Sequence, residues 1–368
     1  MKKKIKLKSP PVFIVSIVIK LTDFLKRLRI KLLPPQVVLI EYTVEYLIMQ
    51  RCVNAAAELF LSTLLEDGPR SIEYLAEKTG MNCNSLYRVM RALTCAGIFK
   101  EKKGRIFENN KLSKCLLYGK ENTVTALAKF TGAEWMVKLW SDLLYSIEKE
   151  KNLYKIKYGK GFFEWLEENP EEYRIFDEGM TSLSALSDVP IASAYNFSSF
   201  NSIVDVGGGH GSQIATILKA YPKMKGMLFD IERVVDGSKG EDHFKDDLLA
   251  GRVEFVAGDF FKSVPAGCDA YLMKSVIHDW DDAGAIKILT NCRKAMHENS
   301  KLLVADMVVK GYNKPHFSKL LDIAMLVLVE GKERTKEEFE NIFEKSGFKL
   351  KRIIPTASPY SIIEGVPI

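Results

Sequence analysis

The stretch from Val204 to Gln213, "VDVGGGHGSQ", constrains the fold more than any other part of the chain. An apolar run with Ile203, Val204 and Val206 enters three consecutive glycines, Gly207, Gly208 and Gly209. After Gly211 the sequence "SQIATILKAYP" sets Ile214, Ile217 and Leu218 at helical spacing until Pro222. This pattern predicts a buried strand, a glycine loop and a helix, the unit that lays bare backbone against a ligand at the carboxyl end of a sheet. A triplet of glycines would also serve a tight turn, so its surroundings carry weight. "MKGMLFD" reads as the next strand and ends in Asp230, at roughly the 20-residue offset where α/β nucleotide folds place an acid on ribose hydroxyls. A third strand, "RVEFVAGDFF", is expected to end at Asp259 and Phe260, a fourth, "CDAYLMKSV", near Lys274, and a fifth, "SKLLVADMV", at Asp306. Polar ends recurring on one rim of a parallel sheet point to a nucleoside-containing ligand. The glycines fit a dinucleotide fingerprint only loosely, and no P-loop lysine follows them to hold a triphosphate.

A chain of 368 residues has room for two domains and a sizeable core. Its apolar and charged fractions, 47% and 27%, are those of an ordinary soluble protein. The net charge of +6 is concentrated in the first 31 residues, which hold Lys2, Lys3, Lys4, Lys6, Lys8, Lys20, Lys26, Arg27, Arg29 and Lys31. The remainder is near neutral, so no nucleic-acid partner is inferred from charge. Six cysteines without metal-ligand spacing read as reduced thiols of a cytoplasmic protein, and five histidines with no i,i+4 pair give no reason to expect a metal site.

The first residues, "MKKKIKLKSPPVFIVSIVIKLTDFLKRLRIKLLPP", have a basic head and an apolar run that imitate a secretory signal. No small-residue cleavage site follows, and Lys20 ends the run well short of the ~20 apolar residues a spanning helix needs. Neither export nor spanning is expected. Ile14, Ile17, Val18, Leu21, Phe24, Leu25 and Leu28 share one helical face, so residues 12–33 are expected to form an amphipathic helix between Pro11 and Pro34. Such a helix packs on the body or across a dimer, or makes peripheral contact with an anionic membrane. From Val37 to about Lys155 the period is mostly helical. Within it, a helix over 72–78, a turn at Gly80, a second helix with Leu86, Val89, Met90 and Leu93 inward, a stop at Gly97 and two short strands about Lys103 and Gly104 read as a winged helix-turn-helix. On residues alone it serves either dimerisation or DNA, the latter through Asn82, Asn84, Ser85, Arg88 and Arg91.

"VDVGGGHGS", "LFDIERVV", "VAGDFF", "AYLMKSVIHDWDD", "LLVADMVV" and "LDIAMLVLVEGKERTKEEFENIFEKSGF" stand in the order and spacing found in S-adenosylmethionine-dependent small-molecule O-methyltransferases. From about Pro35 onward the chain resembles the plant caffeate and isoflavone enzymes and acetylserotonin methyltransferase. "HDW" with "GKERT" carries the resemblance, since many methyltransferases share the glycine loop. The resemblance implies an α/β, Rossmann-like class I methyltransferase domain over 156–368, an all-α winged-helix dimerisation domain over 35–155, and a basic amphipathic extension over 1–34. It also implies S-adenosylmethionine as cofactor and a homodimer.

By the same resemblance, Gly207, Gly208 and Gly209 bed the methionine part of the cofactor, Asp230 takes the ribose hydroxyls, Asp259 and Phe260 bind and cover the adenine, and Lys274 lies on the cofactor side. His278 matches the general base, expected to be neutral near its ordinary pKa of ~6.5, with Asp306 and Glu333 orienting it. Phe176, Met180, Trp280, Asp322 and Met325 match positions near acceptor or cofactor and otherwise read as core. His210, Ser275 and the pair Val329-Glu330 depart from the family pattern, the latter two in ways expected to reshape the acceptor pocket. The function implied is methyl transfer to a phenolic or enolic hydroxyl of a hydrophobic small molecule. Two alternatives stand beside it: a relative that keeps the cofactor for a pericyclic or decarboxylative step, and a DNA-binding regulator with the cofactor as effector.

Overall fold

The computed structural model describes residues 7–120, 122–149 and 152–368, which divide into two compact units. One holds Leu21–Asp142 and Leu166–Ser184; the other holds the chain up to Lys20, Leu143–Trp165 and Ala185–Ile368.

In the first unit the winged helix-turn-helix forms where polar caps punctuate the apolar period. Ser71 accepts the N–H of Tyr74 to start the helix Ile72–Thr79, and Gly80, at φ +70°, ends it. Asn82 accepts the N–H of Ser85 to start Cys83–Cys95. Each cap of this kind is worth about 1 kcal/mol. Leu75, Leu86, Met90 and Leu93 are buried with Phe99 and Phe107. The wing is an antiparallel sheet of β1 (Arg70–Ser71), β2 (Lys100–Lys102) and β3 (Ile106–Glu108) in the order β1-β3-β2. Asn82 is thus engaged as a helix cap, and Arg91 lies 5.0 Å from the centre of the Tyr87 ring.

The second unit is built on seven strands: β4 (Ser202–Val206), β5 (Lys225–Asp230), β6 (Val253–Ala257), β7 (Ala270–Lys274), β8 (Lys301–Asp306), β9 (Phe348–Pro355) and β10 (Ser361–Pro367). Their order is β6-β5-β4-β7-β8-β10-β9. β4 through β8 pair in parallel, as expected, but the sheet is not wholly parallel: β10 runs antiparallel to both β8 and β9. β6 also stops at Ala257, short of the expected Asp259, because Asp259 Oδ1 accepts the N–H of Phe261 and closes a turn there. Alternate side chains of each strand feed opposite faces. Val204, Tyr271, Met273 and Val304 pack under the helices Asp282–Ala295 and Lys336–Lys345, while Ile203, Leu272 and Leu303 pack under Ser212–Ala220.

The chain leaves β4 toward β5 and β6 on one side and returns to place β7 and β8 on the other. The glycine loop therefore sits at the switch point, where a crevice opens beyond the carboxyl ends of the strands.

Candidate active site

The three glycines answer to different demands. A Cβ on Gly207 would come within 2.8 Å of Val276, and one on Gly208 within 2.4 Å of Leu228 and 2.9 Å of Asp205. Gly209, at φ +55°, meets nothing within 4 Å. Packing thus leaves no room for a side chain on two of the glycines, and a Cβ on the third would face open space, while the backbones of all three are partly exposed. Its N–H donates to Asp230 Oδ2 at 2.9 Å, while Asp230 Oδ1 accepts the N–H of Ile231 at 2.8 Å. Each carboxylate oxygen keeps a second lone pair for a hydroxyl donor. Burial pushes the Asp230 carboxyl up, and the two N–H donors partly offset that. From behind, the segment 238–244 clasps the loop. The single proton of Ser238 Oγ is shared between the Val234 carbonyl at 2.6 Å and the Gly209 carbonyl at 3.0 Å, His243 Nε2 donates to the His210 carbonyl at 2.8 Å, and His210 Nδ1 lies 3.1 Å from Glu241.

Beneath the loop lies a buried polar group that the sequence did not reveal. Lys274 is ion-paired with Asp188, both almost wholly enclosed. Asp205, 1% exposed, is approached by the Ile214 N–H and the Lys274 ammonium but has no donor in close hydrogen-bond geometry among the described residues, nor does Gln213 Oε1. Burial pushes the Asp205 carboxyl up to about 7. Buried acceptors without donors are costly unless a ligand satisfies them. A surplus acid and an unmet amide oxygen beside the glycine loop suit a cationic ammonium group, which the amino-acid end of S-adenosylmethionine carries.

The second half of the site follows β7. The chain passes through Ser275, at φ +55°, into a short turn, Ile277–Asp279. His278 Nδ1 donates to Glu333 Oε1 at 2.7 Å, and Asp279 Oδ1 stands 3.5 Å from Nε2. Asp306, at the end of β8, is buried with neither carboxylate oxygen partnered among the described residues. Burial by itself would lower the pKa of His278, but Asp279, Glu333 and Asp306 outweigh it and hold the ring up at about 10. The expectation of an imidazole titrating near 6.5 is therefore corrected: three acids around one enclosed ring make it a strong base. Burial likewise raises Asp279 to about 6 and Asp306 to about 7.

The turn is fixed by the segment "GKERT". Arg334, 1% exposed, donates to the carbonyls of Ile277 at 2.9 Å and Trp280 at 2.8 Å, and to Asp282 at 2.9 Å. A Cβ on Gly331 would fall 1.8 Å from the His278 carbonyl oxygen, so the two backbones touch. Asp322 Oδ1 accepts the N–H of Glu333 at 2.9 Å, which supports the carboxylate that holds the ring. Trp280 stands edge-on to Phe261 (4.6 Å, 89°) and to Phe260 (6.1 Å, 76°), and Met325 is buried. Phe176 and Met180 belong to the other unit, where Phe176 packs on Phe130 at 5.7 Å. Asp188, Asp205, Asp279, Gly331 and Arg334 were given no role from sequence, although the motifs "VDVGGG", "HDW" and "GKERT" contain all of them but Asp188. Among the described residues no cluster of three or more His, Cys, Asp or Glu side chains forms a metal site.

Comparison with known proteins bears directly on this arrangement. Residues 140–349 match the O-methyltransferase domain and residues 42–119 the O-methyltransferase dimerisation domain, so the helical half belongs to dimerisation. The chain is 35% identical over 335 residues to a phenazine O-methyltransferase of Lysobacter antibioticus, covering 91% of this chain and 97% of that relative. It is 36% identical to the mitomycin biosynthesis 6-O-methyltransferase of Streptomyces lavendulae, covering 85% and 90%. The crystal structure of LaPhzM superposes with a TM-score of 0.86 at 35% identity, over 91% of this chain and all of that one. The calicheamicin-biosynthesis methyltransferase CalO1, in its SAH-bound form, gives 0.80 at 30% identity over 91% and 98%. A glycine loop at the switch point, an acid-ringed histidine and a dimerisation domain thus meet in a chain that belongs to the O-methyltransferase family and uses S-adenosylmethionine as methyl donor.

Proposed function

We propose that the enzyme methylates a phenolic or enolic hydroxyl of a hydrophobic small molecule, with His278 taking the hydroxyl proton. The 2.7 Å contact between His278 Nδ1 and Glu333 carries this reading, because it fixes the ring and leaves Nε2 to handle the proton. The Gly209 backbone, Asp230, Asp205, Asp259, Phe260 and the Lys274–Asp188 pair would hold the cofactor, which when bound supplies an electrophilic methyl on a sulfonium leaving group. The protein's task is then to orient the acceptor oxygen and remove its proton. Trp280, two residues after His278, forms an aromatic group with Phe260, Phe261 and Phe163, which favours an apolar acceptor.

A phenol ionises near 10, so an ordinary imidazole would take its proton uphill by about 5 kcal/mol. A ring held up at about 10 makes the transfer itself close to even, but near neutral pH it must first be deprotonated at a cost of about 4 kcal/mol, so the two effects largely cancel. The ring must first lose its own proton, so kcat/KM is expected to rise with pH on the alkaline side of neutrality. Domain limits at 34/35 and 155/156 and a cytoplasmic setting, in keeping with six free cysteines, belong to the same proposal.

The test is calorimetric titration with S-adenosylhomocysteine, followed by methyl transfer from labelled cofactor to a panel of hydrophobic phenols. Asp230→Ala should weaken binding strongly. His278→Ala should keep the affinity and lose about 10²–10⁴-fold in rate. A His278→Ala enzyme that turns over at the wild-type rate would remove the base from this mechanism, and tight binding without methylation of any hydroxyl would favour a non-transfer reaction.

A further inference from the structure

We infer that the N-terminal helix, Val12–Leu32, docks this protein on membrane surfaces rich in anionic lipid. The inference goes beyond the reaction and does not rest on the acid–base chemistry. The helix buries none of its residues. At 100° per residue, Phe13, Ile14, Ile17, Val18, Leu21, Phe24, Leu25 and Leu28 fall within an arc of about 140°. Phe13 is 65%, Ile17 59% and Phe24 60% exposed. An apolar strip of this size on a soluble protein marks a contact surface.

Charge identifies the occupant. Lys20, Lys26, Arg27 and Lys31 flank or oppose the strip with Asp23 as the one acid of the helix, while Arg29 is ion-paired with Glu41 of the segment that follows. The matching helix of a second copy would bring only one acid, Asp23, to these cations. A layer of anionic headgroups complements them, while the apolar arc enters the acyl boundary. The sequence places Lys2, Lys3, Lys4, Lys6 and Lys8 just ahead of the helix, the first four lying outside the described residues. The helix precedes both matched family domains. No helix among the described residues is long and apolar enough to cross a membrane, so the helix lies in the surface plane, about 31 Å long.

The experiment is co-sedimentation of the full-length protein with vesicles of phosphatidylcholine alone or mixed with phosphatidylglycerol. Light scattering and S-adenosylhomocysteine titration accompany it as controls of mass and folding. Wild type should sediment with the anionic vesicles only and be released by high salt. The triple change Lys20→Glu, Lys26→Glu, Arg27→Glu should lower partitioning at least a hundredfold, since each cation near an anionic surface is worth about fivefold. Leu21→Ser with Leu28→Ser should also abolish binding, at unchanged mass and cofactor affinity. Equal sedimentation with both lipids, or with neither, overturns the proposal. So does a fall in assembly mass in the serine variant, which would mean that a second copy covers the strip.

Discussion

The glycine loop and the histidine turn follow adjacent strands, β4 and β7, yet each is held still by a different device. The loop is tied by hydrogen bonds to its carbonyls and N–H groups from nearby segments, Ser238, His243 and Asp230. The turn is clamped by backbone contact at Gly331 and by the guanidinium of Arg334, both arriving from more than 50 residues away. A tethered loop loses one strand of its support at a time and can adjust to a ligand. A clamped turn has no slack, and that suits the base role proposed for His278, in which Nε2 would meet an acceptor oxygen at a fixed distance.

The difference can be broken most sharply at Gly331. Gly331→Ala puts a methyl into the backbone of residues 278–280, where nothing flexible can yield. Displacing the turn by about 1 Å should cost about 10²-fold or more in kcat, with S-adenosylhomocysteine affinity near wild type by titration. A folded variant with wild-type kcat would show that the contact is idle. Glu333→Gln acts within the clamp. Removing the carboxylate takes away a contact that raises His278, so its pKa falls and the rising limb of the kcat/KM profile moves to lower pH. Loss of one charge-assisted hydrogen bond, roughly 1.5 kcal/mol, should lower kcat on the order of tenfold. An unmoved limb would separate that limb from the histidine. Ser238→Ala tests the tether. Because the Ser238 proton is shared with the Val234 carbonyl, losing its contact with Gly209 should raise the KM for the cofactor by at most about fivefold and leave kcat alone. A fall in kcat with KM unmoved would contradict the contrast.

The strand, loop and helix around Gly207 were legible because everything that defines them lies within a score of neighbouring residues. The wing and its turn were legible for the same reason. His278, Asp306 and Glu333 became candidates only through family resemblance, since no local pattern says which acid among so many will meet a ring 55 positions away. Asp188 and Lys274 are 86 positions apart, and no periodicity announces their pairing. The antiparallel hairpin of β9 and β10 escaped because its pairing depends on the register with β8, which is a property of the assembled sheet. The basicity of His278 escaped because it is set by enclosure together with three acids, and neither is written in the residue itself.

The buried carboxylate of Asp205 makes the free enzyme's stability a function of pH in a definite direction. Its folded pKa, about 7, exceeds the ordinary 3.8, so the folded chain holds a proton that the unfolded chain has released. Stability on its account is full below about pH 4 and declines as pH climbs toward 7. A cation seated against Asp205 would return the group to its ionised form and expel that proton. Cofactor uptake at slightly acid pH should therefore acidify its buffer, and the heat of binding should change with the buffer's own ionisation enthalpy. The protein would then gain its firmest fold only when its methyl donor, or the spent product, is in place.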